Sequence, residues 1–177
     1  MKNILNRINP HEALTILHQL AQNDKDVKKK IIKLAKEVIT DVDSDNVSAE
    51  VFSELDSIDV HDLWDRSGSN SYGEYNSPEE MAYEMIEDVL EPYNNEVFRL
   101  LDLKIYQEAT EYCKGVLKGI YQFDNDSSSE FKDWAVDIPG ECFGYLEETF
   151  NKRCKDSKSL KLLSQFIKFI KNNFLSI

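Results

Sequence analysis

The chain has 177 residues, of which 41% are hydrophobic and 31% are charged, and its formal net charge is −12. This composition excludes a wholly disordered chain, and the low numbers of glycine (6) and proline (4) disfavour a turn-rich β fold. Residues 41–100 hold 17 acidic and only 2 basic side chains, a distribution that repels phosphate and argues against nucleic acid as a direct partner.

Residues 1–40 predict an antiparallel helical hairpin. Asn9-Pro10 is typical of an N-cap followed by proline at the first helical position, and Asn23-Asp24 interrupts the helical pattern. In the second helix, lysines lie largely on the face opposite the apolar positions. The apolar positions at helical spacing are Leu14, Leu17, Leu20, Ala21, Val27, Ile31, Leu34, Ala35 and Val38.

Residues 41–123 form an acidic middle section. Its first segment, which starts at Asp41, resembles the beginning of an EF-hand calcium loop, but Asn46 stands at the sixth position and Phe52 at the twelfth. Without the glycine and the bidentate glutamate, the segment is predicted to be an acidic linker that caps the next helix. That third helix is expected to point Val47, Val51, Phe52 and Leu55 inward.

A short helix capped by Asp59 is predicted next, and the longest loop of the chain, residues 67–77, follows it. Ser77-Pro78 begins a long helix, because Ser77 and Glu80 have the spacing of a capping box and proline favours the first helical position.

The rest of the chain is also predicted to be helical. Pro92 is expected to kink or end the long helix, with a helical continuation through Val97, Leu100 and Leu101. A further helix covers residues 106–123. Residues 124–177 contain a short helical segment, a helix marked by Cys142, and a basic amphipathic helix over 159–174 that is expected to close the core. No segment shows the alternating pattern of a β-strand.

Several segments resemble known helical families. Residues 17–28 are similar to the inter-helix turn of a HEAT-type repeat, and residues 100–109 to the first helix of a tetratricopeptide repeat, with Lys104 in place of the usual glycine. Four further segments resemble an uncharacterised prokaryotic α-helical family in which a similar region follows a SWIM-type zinc finger. They are Asp56–Gly68, Glu91–Tyr93, Tyr112–Tyr121 and Glu130–Gly140. The finger's own cysteine and histidine pattern is absent, so the resemblance implies a helical fold and carries over no metal or DNA binding.

The sequence therefore predicts a single all-α domain over residues 1–177, with about eight helices. The helices are expected to form irregular hairpins, stacked as a HEAT/TPR-like right-handed array or as a bundle. The three cysteines have no CxxC spacing, which fits reduced thiols and predicts a cytoplasmic location. No run of about 18 apolar residues occurs, so neither a membrane span nor a membrane partner is expected.

The favoured functional prediction is a non-enzymatic protein-interaction or scaffold module. Its acidic surface would contact a basic partner, which could itself be a nucleic-acid-binding protein. The loop 67–77 adds tyrosines to the acidic section, and aromatic residues beside charge suit partner recognition. No cofactor is predicted. The candidate partner-binding residues are Trp64, Asp65, Arg66, Tyr72, Tyr75 and Glu84.

The alternative prediction is a metal-dependent hydrolase or metal-binding protein. Its cluster consists of Asp59, His61, Asp62 and Asp65. A catalytic metal needs about three converging protein ligands, and this spacing brings at most two together locally. A simpler interpretation is that Asp59 caps the short helix, Trp64 packs inward, and Asp65 pairs with Arg66 or a backbone amide.

Overall fold

The computed structural model describes residues 4, 7–39, 42–69 and 75–174 of the chain. Within these ranges it contains eight α-helices and one two-stranded antiparallel ribbon. The prediction of a mostly helical protein with about eight helices is confirmed. The chain divides into two compact units, residues 1–41 and residues 42–177.

The first unit is a pair of helices, α1 (Pro10–Asn23) and α2 (Lys25–Ile39), which contact each other. Asn9 begins α1 with a capping box, because its side chain accepts from the Glu12 amide while the Glu12 carboxylate accepts from the Asn9 amide, both at 2.9 Å. None of the described side chains in 7–39 is buried. Leu14 is 52% exposed and Leu20 is 46% exposed, since two helices alone are too few to enclose a core.

The second unit contains the remaining elements. In chain order they are α3 (Ser44–Asp56), α4 (Val60–Arg66), β1 (Gly68–Ser69), β2 (Tyr75–Asn76), α5 (Pro78–Asp102), α6 (Tyr106–Asp126), a 3-10 helix (Glu130–Trp134), α7 (Ile138–Arg153) and α8 (Ser157–Phe174). Every buried side chain among the described residues lies in this unit. The core is centred on α6, which packs against α3, α5, α7 and α8.

The helix starts follow local capping signals. Ser77 and Glu80 form the predicted capping box at α5. The Asp43 side chain caps α3 by accepting hydrogen bonds from the backbone amides of Asp45 and Asn46. The Asp45 carboxylate lies 2.7 Å from the Lys118 ammonium. The acidic linker thus caps a helix, as predicted.

One expectation about secondary structure needs correction. The loop after α4 contains a short ribbon that pairs Gly68 with Asn76, although no strand was predicted. Strands of two residues are too short to produce an alternating pattern. The expected continuation of α5 beyond Pro92 is confirmed, because the helix runs to Asp102 and buries side chains on both sides of the proline.

Close approach between α3 and α6 depends on two glycines. A methyl group at Gly119 would lie 2.6 Å from Val51 Cβ and 2.8 Å from the Ser48 carbonyl oxygen. A methyl group at Gly115 would lie 2.7 Å from both Val47 Cβ and the Ser44 carbonyl oxygen. The backbone of α6 therefore packs directly against α3. Val47, Val51 and Leu55 are buried as predicted, whereas Phe52, also expected to point inward, is only partly buried.

The last helix closes the core as predicted, because Leu163, Ile167 and Ile170 of α8 are all buried. Within the described ranges, no helix combines the length and the apolar character that crossing a bilayer requires.

Candidate protein-binding groove

A groove runs between α5 and α7 in the second unit. Its inner end is a cavity of about 350 Å³ that lies between the middle of α5 and the first turns of α7. Its outer end is a shallower cavity of about 580 Å³ beside the 3-10 helix and the start of α7. Tyr83 lines both cavities, so we treat them as one feature, the α5–α7 groove.

The groove is strongly acidic. Carboxylates from α5, α7 and the segment between them line it: Glu79, Glu80, Glu87, Asp88, Glu91, Asp133, Asp137 and Glu141. None of the lining residues is lysine, arginine or histidine. Low-dielectric walls around charges of one sign focus the field, so the groove attracts cationic groups.

Aromatic and aliphatic side chains form the walls between these carboxylates. The larger members are Tyr83, Leu90, Phe98, Trp134, Val136, Ile138 and Tyr145. Tyr145 is 57% exposed and Val136 is 71% exposed, so part of this apolar surface is open to a ligand. Exposed aromatic surface beside charge is the combination found at protein-binding sites.

Helical spacing explains why α5 lines the groove with one face. Tyr83, Glu87, Glu91, Asn94 and Phe98 follow one another at intervals of three or four residues, which places them along one stripe. The neighbouring stripe of α5 carries its buried residues, and these anchor the helix in the core.

Two groups in the groove are held in their protonated form. The Tyr83 hydroxyl donates to the Glu87 carboxylate, and this hydrogen bond raises the pKa of Tyr83. Burial, with the Glu87 and Glu141 charges nearby, raises the pKa of Cys142 to about 11. A thiol of this kind is not a nucleophile at neutral pH, so Cys142 forms part of the wall.

Asn94 lines the inner cavity and carries an unpaired side-chain oxygen. Its side-chain oxygen Oδ1 is buried and accepts no hydrogen bond from the described residues. Buried polar atoms are nearly always paired in folded proteins, so this oxygen is an exception, and its burial keeps it out of reach of a ligand in the cavity.

Two cations of the protein border the groove. The Arg66 Nη1 lies 3.7 Å from Asp88 Oδ2. The Arg153 guanidinium carbon lies 4.6 Å from the centre of the Phe98 ring, and its Nη2 lies 3.0 Å from both carboxylate oxygens of Asp102.

Of the six residues predicted to bind a partner, Arg66 is joined to the groove through Asp88. Tyr75 is 68% exposed on β2, and Glu84 is exposed on α5 outside the residues that line the groove. Tyr72 lies outside the described residues.

The inward packing predicted for Trp64 was wrong. Trp64 is 47% exposed and meets His61 edge to face at 5.0 Å between ring centres. The seven-residue α4 buries Val60 and Leu63, which leaves Trp64 on the outer side. Arg66 pairs with Asp88 of α5 and not with its neighbour Asp65.

The alternative metal cluster does not assemble. Asp59 accepts from the His61 amide at 2.8 Å and so caps α4, as predicted. Across the part of the chain that the structure describes, no three His, Cys, Asp or Glu side chains are placed to hold a metal ion together. The convergence of Asp59, His61, Asp62 and Asp65 that the metal alternative requires is therefore not found.

Comparison with known proteins gives no relative: no protein-family model, no curated protein and no solved structure matches the chain. The resemblances to helical repeats and to the prokaryotic family stay predictions.

Sequence reasoning missed most of the groove because it joins distant segments. Trp134 and Tyr145 belong to the C-terminal section, and Tyr83, Glu87 and Phe98 belong to the acidic middle section. The one available signal was the helical spacing of tyrosine, glutamate and phenylalanine along α5. In an amphipathic helix, such a polar stripe is normally interpreted as the face that contacts solvent.

Proposed function

We propose that this protein is a helical-bundle interaction module whose α5–α7 groove binds a basic segment of a partner protein. The observation that carries the proposal is the lining itself, which combines eight carboxylates with exposed aromatic rings and contains no basic side chain. A bundle is favoured over a linear array because α6 contacts four other helices, whereas repeats in an array contact only their neighbours.

The dimensions fit a short extended segment. From Glu79 to Phe98, α5 rises about 28 Å, at 1.5 Å per residue. An extended peptide of about eight residues covers that length. Basic side chains of such a segment meet carboxylates along the whole groove, and apolar side chains meet Trp134 and Val136 at its outer end.

Electrostatics also defines which partners are disfavoured. A phosphate backbone is repelled by the same carboxylates that attract lysine and arginine. Association with a basic partner is expected to be fast at low ionic strength and to weaken as salt is added, because screening acts on the exposed charges.

The proposal is tested with a panel of fluorescein-labelled octapeptides that runs from acidic to basic, read by fluorescence anisotropy on the full chain. Basic peptides are expected to bind, and Glu87→Gln and Glu91→Gln are expected to weaken that binding. Glu84→Gln is the matched control, because Glu84 is exposed on the same helix but does not line the groove.

Two results would contradict the proposal. One is the absence of binding by any basic peptide at low salt. The other is an equal loss of affinity in all three variants, which would show that total charge matters and the groove does not.

A further inference from the structure

We propose that the hairpin of α1 and α2 is a self-association surface, through which two copies of this chain pack hairpin against hairpin as a four-helix bundle. Neither the α5–α7 groove nor its partner takes part, so the proposed function does not depend on this contact.

The exposed aliphatic side chains of the protein are concentrated on this hairpin. Among the described residues, sixteen large hydrophobic side chains are exposed, and seven of them belong to α1 and α2, which are only 14 and 15 residues long. All seven are leucine, isoleucine or valine, whereas six of the eight in the second unit are aromatic. Single exposed apolar residues are normal on a protein surface, but a group of them marks an interaction site. The seven are Leu14, Ile16, Leu17, Leu20, Ile32, Leu34 and Val38.

Each helix is apolar over a wider arc than one neighbouring helix covers. At 3.6 residues per turn, the apolar positions of α1 span about 160° of the helix, from Ile16 round to Leu14. Those of α2 span about the same arc, from Leu34 round to Ile32. Ile31, in the middle of the α2 arc, is half-buried, whereas the four residues at the edges stay 42–59% exposed. A helix of a four-helix bundle packs against two neighbours, so each arc has room for a second helix.

The positions of the charges indicate that the covering surface is itself apolar. Lys29, Lys30 and Lys33 lie outside the α2 arc, and Lys28 is the one lysine that enters it, near an edge. An acidic partner would therefore be drawn to the opposite side of α2. The surface of this chain that matches the arcs in size and chemistry is the same hairpin on a second copy, and a two-fold axis pairs such a face with itself.

The size of the first unit also favours a second copy. This unit comprises residues 1–41, and none of the described side chains in 7–39 is buried. Chains of about 40 residues rarely enclose a core alone, and oligomerisation is one of the usual solutions.

The exposed area reaches what a specific dimer needs. An unfolded chain exposes about 1.45 Å² per dalton, so a free leucine or isoleucine exposes roughly 160 Å². At the exposed fractions of the seven side chains, the hairpin offers about 600 Å² per copy. Two copies would together bury about 1,200 Å², which is the lower limit of specific protein interfaces. The dimer is therefore expected to be reversible and to form at micromolar concentrations.

Sedimentation equilibrium of the full chain tests the association. The mass is expected to rise from 20.5 kDa toward twice that value as the protein concentration increases through the micromolar range. Added salt is expected to strengthen the dimer, because it screens the repulsion between two chains of net charge −12 and between their lysine-rich hairpins. Hydrogen exchange on the same samples is expected to show the amides of α1 and α2 protected only at the higher concentrations.

A matched pair of variants locates the contact. Leu34→Gln is expected to weaken the dimer at least about tenfold, since each dimer loses this side chain twice. Leu103→Gln makes the same exchange in the second unit at a leucine that is 50% exposed, and it is expected to leave the association unchanged. Circular dichroism shows whether the hairpin of each variant stays helical, and the exchange measurement on the wild type needs no variant.

Three results would overturn the proposal. One is a mass of 20.5 kDa at every concentration, as a hairpin covered within its own chain would give. Another is an association that weakens as salt is added, which would show the hairpin on the acidic section of another copy. The third is a dimer whose α1 and α2 amides stay unprotected, which would place the contact elsewhere. Binding of basic peptides to the groove is measured separately, so none of these results decides the proposed function.

Discussion

Replacing Gly119 with alanine is expected to destabilise the protein, against the usual effect of this exchange within a helix. The added methyl group would stand 2.6 Å from Val51 Cβ and 2.8 Å from the Ser48 carbonyl oxygen. Neither atom is the end of a flexible side chain, and Val51 is fully buried. Relief of the clash therefore requires α3 and α6 to move apart.

The magnitude follows from two opposing terms. Overpacking a core typically costs about 1–3 kcal/mol, and the upper end applies here because backbone and a β-branched side chain must shift. Alanine recovers about 1 kcal/mol of helix propensity relative to glycine. The net loss is about 2 kcal/mol, which lowers the melting temperature by about 6 °C in a protein of this size.

Gly144 provides the matched control in α7. A methyl group there meets nothing within 4 Å, so Gly144→Ala gains helix propensity without a clash. It is expected to raise the unfolding free energy by up to about 1 kcal/mol. Urea titration of the wild type and both variants measures the difference, and a Gly119→Ala protein as stable as the wild type would refute the reasoning.

Three further predictions concern the core and its titrating groups. Leu117→Ala, in the centre of α6, is expected to lower the free energy of unfolding in urea by about 2–5 kcal/mol. Leu17→Ala, on the exposed hairpin, is expected to lower it by less than about 1 kcal/mol, and equal losses would contradict the burial of Leu117. Burial raises the pKa of Asp124 above 3.8, so its ionisation lowers stability as the pH rises through the shifted pKa. Asp124→Asn is therefore expected to be more stable than the wild type at neutral pH, with a difference that shrinks as the pH falls toward 3.8; a constant difference would exclude the titration. Native Cys142 is expected to react slowly with a thiol reagent at neutral pH and to accelerate until about pH 11, and a plateau near pH 9 would show a normal thiol.

The helices could be predicted because their signals are local. The capping pairs at Asn9 and Ser77 each occupy four consecutive residues, and the apolar spacing that follows each pair continues for several turns. Apolar spacing also predicts that the helix continues beyond Pro92, and packing of the flanking turns outweighs the helix-breaking tendency of proline.

The groove could not be predicted because it depends on which helices meet. Of the two tryptophans, sequence reasoning placed Trp64 inside and singled it out as a candidate, whereas Trp134 is the one in the groove. Tertiary packing places the two tryptophans differently. The short helix α4 buries only Val60 and Leu63, whereas the 3-10 helix that contains Trp134 packs against α5. The acidic character of the site was nevertheless visible in the charge of residues 41–100.

The described side chains of α1 and α2 are all at least partly exposed, and this bears on what an unfolding curve reports. Helices held by half-exposed contacts open locally, so their amides exchange with solvent long before those of α6. Both tryptophans, Trp64 and Trp134, lie in the second unit. A melt followed by tryptophan emission therefore reports from residues of the second unit, and amide exchange within α1 and α2 reports on the hairpin.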